Sequence, residues 1–412
     1  MDSAQDDSQP ITVDPSQLIV DQNAVTSQQN VSKSFVAQIP QSVVIGHEPE
    51  VISQVATSDS GSQIQKLEAL VMQAKLPDEL HMSSMAMISR LKIVKDQPAF
   101  YTEYDTVSHY ITWIAALPWG KMSQDILDIA HVKEVLDKKH FGLVEVKEKI
   151  LEFLSVMIMT RNKAGQGENG IIARAPIISL VGLAGVGKTT IAYSIAEALG
   201  RKIERIPFGG LGSASQLRGK SRLYSDSEPG MVVKALRRAG TSNPILLLDE
   251  IDRVSQEAKS DIMGVLVELL DPAQNKAFLD HFIDYPVDLS QVLFIATSNN
   301  TKDISTAVLD RLEIIQMPSY TDEEKIVIGK TYELPRIMKE SGLTPNDFAI
   351  ADEVWPEAIV RPLGYDPGIR GLQRVLQGIV RKTVYYMMIG KIASGQKFVI
   401  DSSNIKLFVT SW

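Results

Sequence analysis

The chain has 412 residues, 44% hydrophobic and 22% charged, an ordinary soluble composition with length for two or three domains. It has no Cys, which excludes disulfide frameworks, thiolate zinc sites and a cysteine nucleophile, and its six His residues never form the His-Glu-x-x-His pattern of zinc proteases. Of the net charge of −8, residues 1–60 carry −7 (eight acids against Lys33), so the near-neutral remainder gives no support for a duplex-binding surface.

Residues 1–60, rich in Gln, Ser and Val, read as a mostly disordered acidic tail, with neither a secretory nor a mitochondrial leader. No apolar run approaches the roughly 18 residues of a membrane span, so the expected location is cytoplasmic and no membrane partner is expected. From Ile64 the apolar positions Ile64, Leu67, Leu70 and Val71 share one helical face, and a helical segment over 61–120 runs to the breakers Pro118 and Gly120. Two further helices flank His140, Phe141 and Gly142, and a polar linker follows at 162–170. Short apolar runs then alternate with amphipathic stretches: "APIISLVG", "KIERIPFG", "PILLLDEID" and "VLFIATSN" predict buried parallel strands in an α/β domain over 121–316. Beyond it, 317–412 reads as a small helical domain. Thr321 and Glu324 form a capping box there, and Asp366 and Pro367 are placed at the N-cap and first position of a helix with apolar residues at 369, 372, 375, 376 and 379.

Gly182, Gly187, Lys188 and Thr189 satisfy the GxxxxGK[ST] pattern between a strand and a helix. The glycines, Gly185 among them, let backbone N–H groups turn inward around phosphates, Lys188 reaches the β and γ oxygens, and the Thr189 hydroxyl ligates Mg²⁺ beside Thr190. About sixty residues on, the strand "ILLLDEID" delivers Asp249 as a metal-side carboxylate that holds Mg²⁺ through water and Glu250 as the group that polarises the attacking water. Asn299, ending the next strand, either orients that water or is a turn residue. Arg311 and Arg370 are suited to charge on a γ-phosphoryl group, and equally to surface ion pairs. Arg370 stands in the first turn of a helix, where a cation is unfavourable, and so calls for an anionic partner.

The order of the phosphate loop, "LLLDEID", "ELLDPAQN", "DYPVDLSQVLFIATSN", "LDRLE", "YTDEEK" and "GIRGLQR" closely resembles the ATPase module of the Lon proteases, of the AAA+ class, over about residues 61–412. The resemblance implies a P-loop α/β fold with a small helical lid. It makes ATP and Mg²⁺ the cofactors, with Lys188, Thr189 and Asp249 on the nucleotide, Glu250 driving hydrolysis, Asn299 as sensor 1, Arg311 as a finger acting in trans, Arg370 as sensor 2, and His140, Phe141 and Gly142 near the adenine. It implies a hexameric ring acting on polypeptide clients gripped by a pore loop at Tyr224 and Ser225. Leu183 and Ala184 replace the usual two prolines, the Asn299 to Arg311 spacing is one residue longer than usual, and Asp226 makes the pore-loop tip acidic. No Pro-Ser-Ala-Gly peptidase motif occurs, so the expectation is an unfolding or translocating ATPase without its own peptidase site. Alternatives are an ATP-dependent adaptor co-assembling with a full-length Lon or a separate peptidase, the ATPase part of a truncated protease, and, less favoured, a nucleic-acid-linked switch.

Overall fold

In the computed structural model, residues 60–164, 177–356, 366–392 and 397–409 are described. The acidic tail (apart from Ser60) and residues 165–170 of the polar linker lie outside them. Three helices open the described chain, α1 (Ser60–Gln73), α2 (Asp78–Val94) and α3 (Phe100–Ala116), separated at Pro77 and around Pro98, where a missing N–H and a fixed φ end each helical run. The apolar stripe of α1 is buried at Ile64, Leu67 and Val71. Next come α4 (Ile129–Lys139), capped by the Asp128 carboxylate on the Ala130 N–H, and α5 (Val144–Ala164).

The sheet is built from β1 (Ile177–Val181), β2 (Ile203–Pro207) and β3 (Ile245–Asp249), with β6 (Leu293–Ser298) and β7 (Leu312–Gln316). Its order is β2-β3-β6-β1-β7 and every pairing is parallel. Parallel sheets need crossovers, and these are supplied by α6 (Lys188–Leu199), the short α7 (Ser215–Arg218), α8 (Met231–Ala239), α9 (Lys259–Leu270) and the short α10 (Thr306–Leu309). A small antiparallel pair, β4 (Phe278–Asp280) with β5 (Tyr285–Val287), interrupts the run between α9 and β6.

The uninterrupted apolar run of β3 is explained by burial on both faces. Leu246 and Leu248 face a core shared with α8, α9 and the stripe of α1–α3, while Ile245 and Leu247 face a second core with α4, α5 and α6. The helical segment at the start of the described chain is thus packed into the sheet's own core.

Past the sheet come α11 (Asp322–Ile328), α12 (Leu334–Glu340) and α13 (Arg370–Met388) around a third core with Trp355, Leu372, Leu376 and Ile379. The capping box of Thr321 and Glu324 is formed as expected. Two features depart from the helical expectation. A short parallel pair, β8 (Phe348–Ile350) with β9 (Phe398–Ile400), braces this region. And α13 begins at Arg370, not at Pro367: the Asp366 carboxylate accepts from the N–H groups of Gly368 (3.0 Å) and Gly371 (2.8 Å), and the Ile369 N–H donates to the Gly185 carbonyl (3.1 Å). Asp366 still caps the helix, but across a turn that leans on the phosphate-type loop.

Candidate active site

The carboxyl ends of β1, β3 and β6 lie side by side in the sheet, so the loops that follow them meet at one edge, where open α/β sheets bind ligands. A cleft of about 370 Å³ opens there, lined by Gly185, Gly187, Lys188, Thr189, Thr190, Asp249, Glu250, Asn299 and Arg370, with Tyr193, Arg205, Ile369 and Gln373. The loop from Gly182 to Gly187 takes φ of +86° at Gly185 and +93° at Gly187, a region that side chains disfavour, and so delivers the first turn of α6 to the cleft. Lys188 is 8% exposed. Its ammonium donates to the carbonyls of Gly182 (2.6 Å) and Leu183 (3.0 Å) and to Asn299 Oδ1 (3.0 Å). Burial lowers its pKa, Arg370 adds to the effect, and Asp252, Asp249 and Glu250 oppose it.

Asp249 is 6% exposed and fully engaged: Oδ1 accepts from the Thr297 hydroxyl (2.5 Å), and Oδ2 accepts from Arg205 Nε (2.7 Å) with a terminal nitrogen of the same guanidinium 2.6 Å away as an ion pair. Glu250 has φ +58°, uncommon for a residue with a side chain, and its N–H donates to the same Thr297 oxygen (3.0 Å). Behind them the Asp252 carboxylate accepts from the N–H of Asn299 (3.0 Å) and from Asn300. Asn299 Nδ2 is buried without a partner among the described residues. Arg370 enters from α13 and forms no ion pair among the described residues, so its expected anionic partner is not supplied by them. The turn before it seats tightly: a Cβ on Gly368 would lie 2.6 Å from the Ala184 carbonyl, and the Tyr320 hydroxyl donates to the Val186 carbonyl (3.3 Å).

Other expected residues lie elsewhere. Arg311 does not line this cleft; it donates to the Ala307 carbonyl (2.7 Å) and pairs with Asp271 (3.0 Å). His140, Phe141 and Gly142 also stand outside the lining, at the turn between α4 and α5. His140 Nε2 lies 2.8 Å from Ser194 Oγ on α6, and its pKa falls to about 4, through burial first and then Lys147 and Lys139. Tyr224 and Ser225 lie on the exposed loop between α7 and α8, with Leu223 (93% exposed) beside them. The acidic tip expected there is offset, because Asp226 pairs with Lys220. Both ends of this loop are anchored: Asp280, whose pKa burial raises, accepts from the Gly230 N–H (2.7 Å), and Arg222 stacks over the Tyr110 ring of α3 at 4.0 Å.

Arg205, Thr297 and Asp252 were not among the expected residues. The signals for the first two are a cation inside the strand "KIERIP" and a hydroxyl inside the apolar run "VLFIATS". Asp252 carries no such mark, since an acid just after a strand is ordinary.

A five-stranded parallel sheet with a glycine loop after β1 and paired acids at the end of β3, one strand removed from it across β6, defines a P-loop ATPase, and residues 178–320 match the family of ATPases associated with various cellular activities (AAA). More narrowly, the chain is similar over most of its length to the AAA+ module of the Lon proteases. It is 38% identical to the Lon protease of Lawsonia intracellularis over 353 residues, covering 85% of this chain and 40% of that protein. It is 38% identical to the Lon protease of Mycoplasma mycoides over 337 residues (82% and 41%) and 36% identical to that of Chloroflexus aurantiacus over 351 residues (85% and 42%). The chain therefore spans about two fifths of the length of the curated Lon proteases it matches. Among the described residues no helix is long and apolar enough to cross a membrane, and no group of three or more His, Asp or Glu is placed to hold a metal alone.

Proposed function

We propose that this chain binds ATP in the cleft, hydrolyses it, and uses the cycle in a ring, a hexamer by family resemblance, to unfold or translocate polypeptide. The observation that carries the reading is the convergence of Lys188, Thr189, Asp249, Glu250, Asn299 and Arg370 on one cleft from four separate elements.

The residues fit a magnesium nucleotide. The loop glycines leave room for backbone N–H groups to meet phosphate oxygens, and the unpaired Asn299 Nδ2 needs an acceptor. Thr189 and Asp249 would hold the cation, which supplies charge neutralisation across the β and γ phosphoryl oxygens. Lys188 exchanges its three oxygen acceptors for phosphate oxygens. Glu250 holds and polarises the attacking water, Asn299 orients it, and Arg370, reaching in from α13, couples the state of the nucleotide to the seating of the helical region.

Arg311, absent from the lining of its own cleft, is suited to act on a neighbouring subunit's site, and Asp271 and the Ala307 carbonyl fix its guanidinium in place. Tyr224, with Leu223, projects from the loop between α7 and α8 as a grip on a passing chain. His140, Phe141 and Gly142 are assigned to the adenine side by family resemblance; the contact between His140 and Ser194, next to cleft residue Tyr193, is the support for it.

Light scattering with and without ATP, together with steady-state turnover, tests the reading. Glu250→Gln is expected to bind ATP, assemble and fail to turn over. Absence of turnover in the unmodified chain, with nucleotide affinity unchanged by Lys188→Ala, sinks it.

A further inference from the structure

Arg205 is the feature of the cleft that the nucleotide reading leaves unused. It comes from β2, an edge strand, two register positions behind the catalytic end: Arg205 pairs with Leu247 and Pro207 with Asp249. Its guanidinium sits on a single oxygen, Oδ2 of Asp249, through a hydrogen bond from Nε (2.7 Å) and an ion-pair contact from a terminal nitrogen (2.6 Å). The other oxygen is taken by the Thr297 hydroxyl, which also accepts from the Glu250 N–H and is therefore tied into the sheet. Oδ2 is thus the exchangeable face of the carboxylate.

The pair is lopsided. The Asp249 side chain is 8% exposed and that of Arg205 is 50% exposed, and among the described residues Arg205 has no other polar partner. A carboxylate this buried is costly unless a cation faces it. A half-exposed arginine on a long side chain, at the mouth of the cleft, is in turn free to leave without disturbing a core. Glu250 does not compete for it, since Arg253 stands 3.5 Å from that acid.

We propose that Arg205 is an exchange latch on the metal-side carboxylate: it neutralises Asp249 when no magnesium nucleotide is bound, and surrenders Oδ2 to the divalent cation on loading. The inference rests on the nucleotide reading above and deepens it, making Arg205 a positioning residue that sets how much free magnesium the site requires. A divalent cation brought to Oδ2 repels the guanidinium already there, so loading the site favours release of Arg205.

The test uses the full chain and a fluorescent ATP analogue, with affinity measured in EDTA and across a magnesium titration, for the unmodified protein, Arg205→Gln and Arg205→Lys. Arg205→Gln is expected to bind more weakly in EDTA, because an uncompensated Asp249 then faces the phosphates. It is expected to reach full affinity at magnesium concentrations roughly fivefold lower, the size of one partly exposed charge-assisted pair. Arg205→Lys, which keeps the charge but loses the fork, falls between the two, and it carries the test if thermal melting shows Arg205→Gln to be unfolded. A magnesium midpoint that is unchanged or raised in either folded variant, while the unmodified protein binds nucleotide normally, overturns the latch. Failure of the unmodified protein to bind nucleotide in any condition removes the nucleotide reading itself, and the latch with it.

Discussion

Thr297 shows how much one hydroxyl organises: it donates to Asp249 and accepts from the Glu250 N–H, so the two acids are aimed from a neighbouring strand. Thr297→Val keeps the shape of the strand and removes both bonds. Turnover is expected to fall on the order of a hundredfold, with ATP affinity within about threefold, as for a residue that positions reacting groups and does not bind the ground state. Equilibrium binding beside single-turnover kinetics separates the two. Glu250 stands in the left-handed region at φ +58°, a conformation that costs on the order of 1 kcal/mol in a residue with a side chain. Glu250→Gly and Glu250→Gln should both lose turnover. Only the glycine relieves the backbone, so urea denaturation should find it more stable than the glutamine variant by about 1 kcal/mol, less the entropy glycine adds to the unfolded chain.

At the scale of elements, the fit of α4 against α6 is expected to be sensitive to pH. His140 ends α4, is buried, and contacts Ser194 of α6; its pKa falls from the ordinary 6.5 to about 4. Since the folded protein binds this proton less readily than the unfolded chain, its contribution is complete above about pH 6.5 and is lost as pH falls toward 4. The span is worth on the order of 3 kcal/mol. Urea midpoints at pH 7 and pH 4.5 should differ by less in His140→Gln than in the unmodified protein; equal differences would remove this residue from the account. The join between α11 and α12 is also decided locally. Pro335 has no N–H to continue the helical ladder, and a π-helical turn at Gly329–Glu333 precedes it, with Gly329 against the Trp355 ring.

Over the whole molecule, one buried ion pair ties together segments distant in sequence. Arg201, just past α6, holds Asp125 through Nε (2.8 Å) and a terminal nitrogen (2.6 Å), and Asn243, just before β3, donates to the same carboxylate (3.1 Å). Their side chains are 1% and 7% exposed. Asp125→Ala leaves a buried guanidinium without its partner and is expected to cost about 3 to 5 kcal/mol, read from urea denaturation. A cost below about 1 kcal/mol would show that solvent reaches the site. The pair fastens the segment between α3 and α4 to the base of the sheet. Arg222 on Tyr110 does the same at the other side, where α3 meets the loop carrying Leu223 and Tyr224. The helical segment and that loop are therefore mechanically joined.

The strands, the glycine loop, the acids at the end of β3 and the capping box at Thr321 were legible by themselves, because each is a local pattern: an apolar run, a fixed spacing, or a cap three residues from its partner. What the tertiary structure decided is everything that depends on two distant segments meeting. It shifted the start of α13 from Pro367 to Arg370, because Ile369 bonds the phosphate-type loop. It gave Asp249 to Arg205, gave both acids to Thr297, and cancelled the charge of Asp226 with Lys220. Local pattern is set by backbone geometry within a few residues. Partner choice is set by strand order, which brings β2, β3 and β6 side by side although residues 208–292 lie between the first and the last.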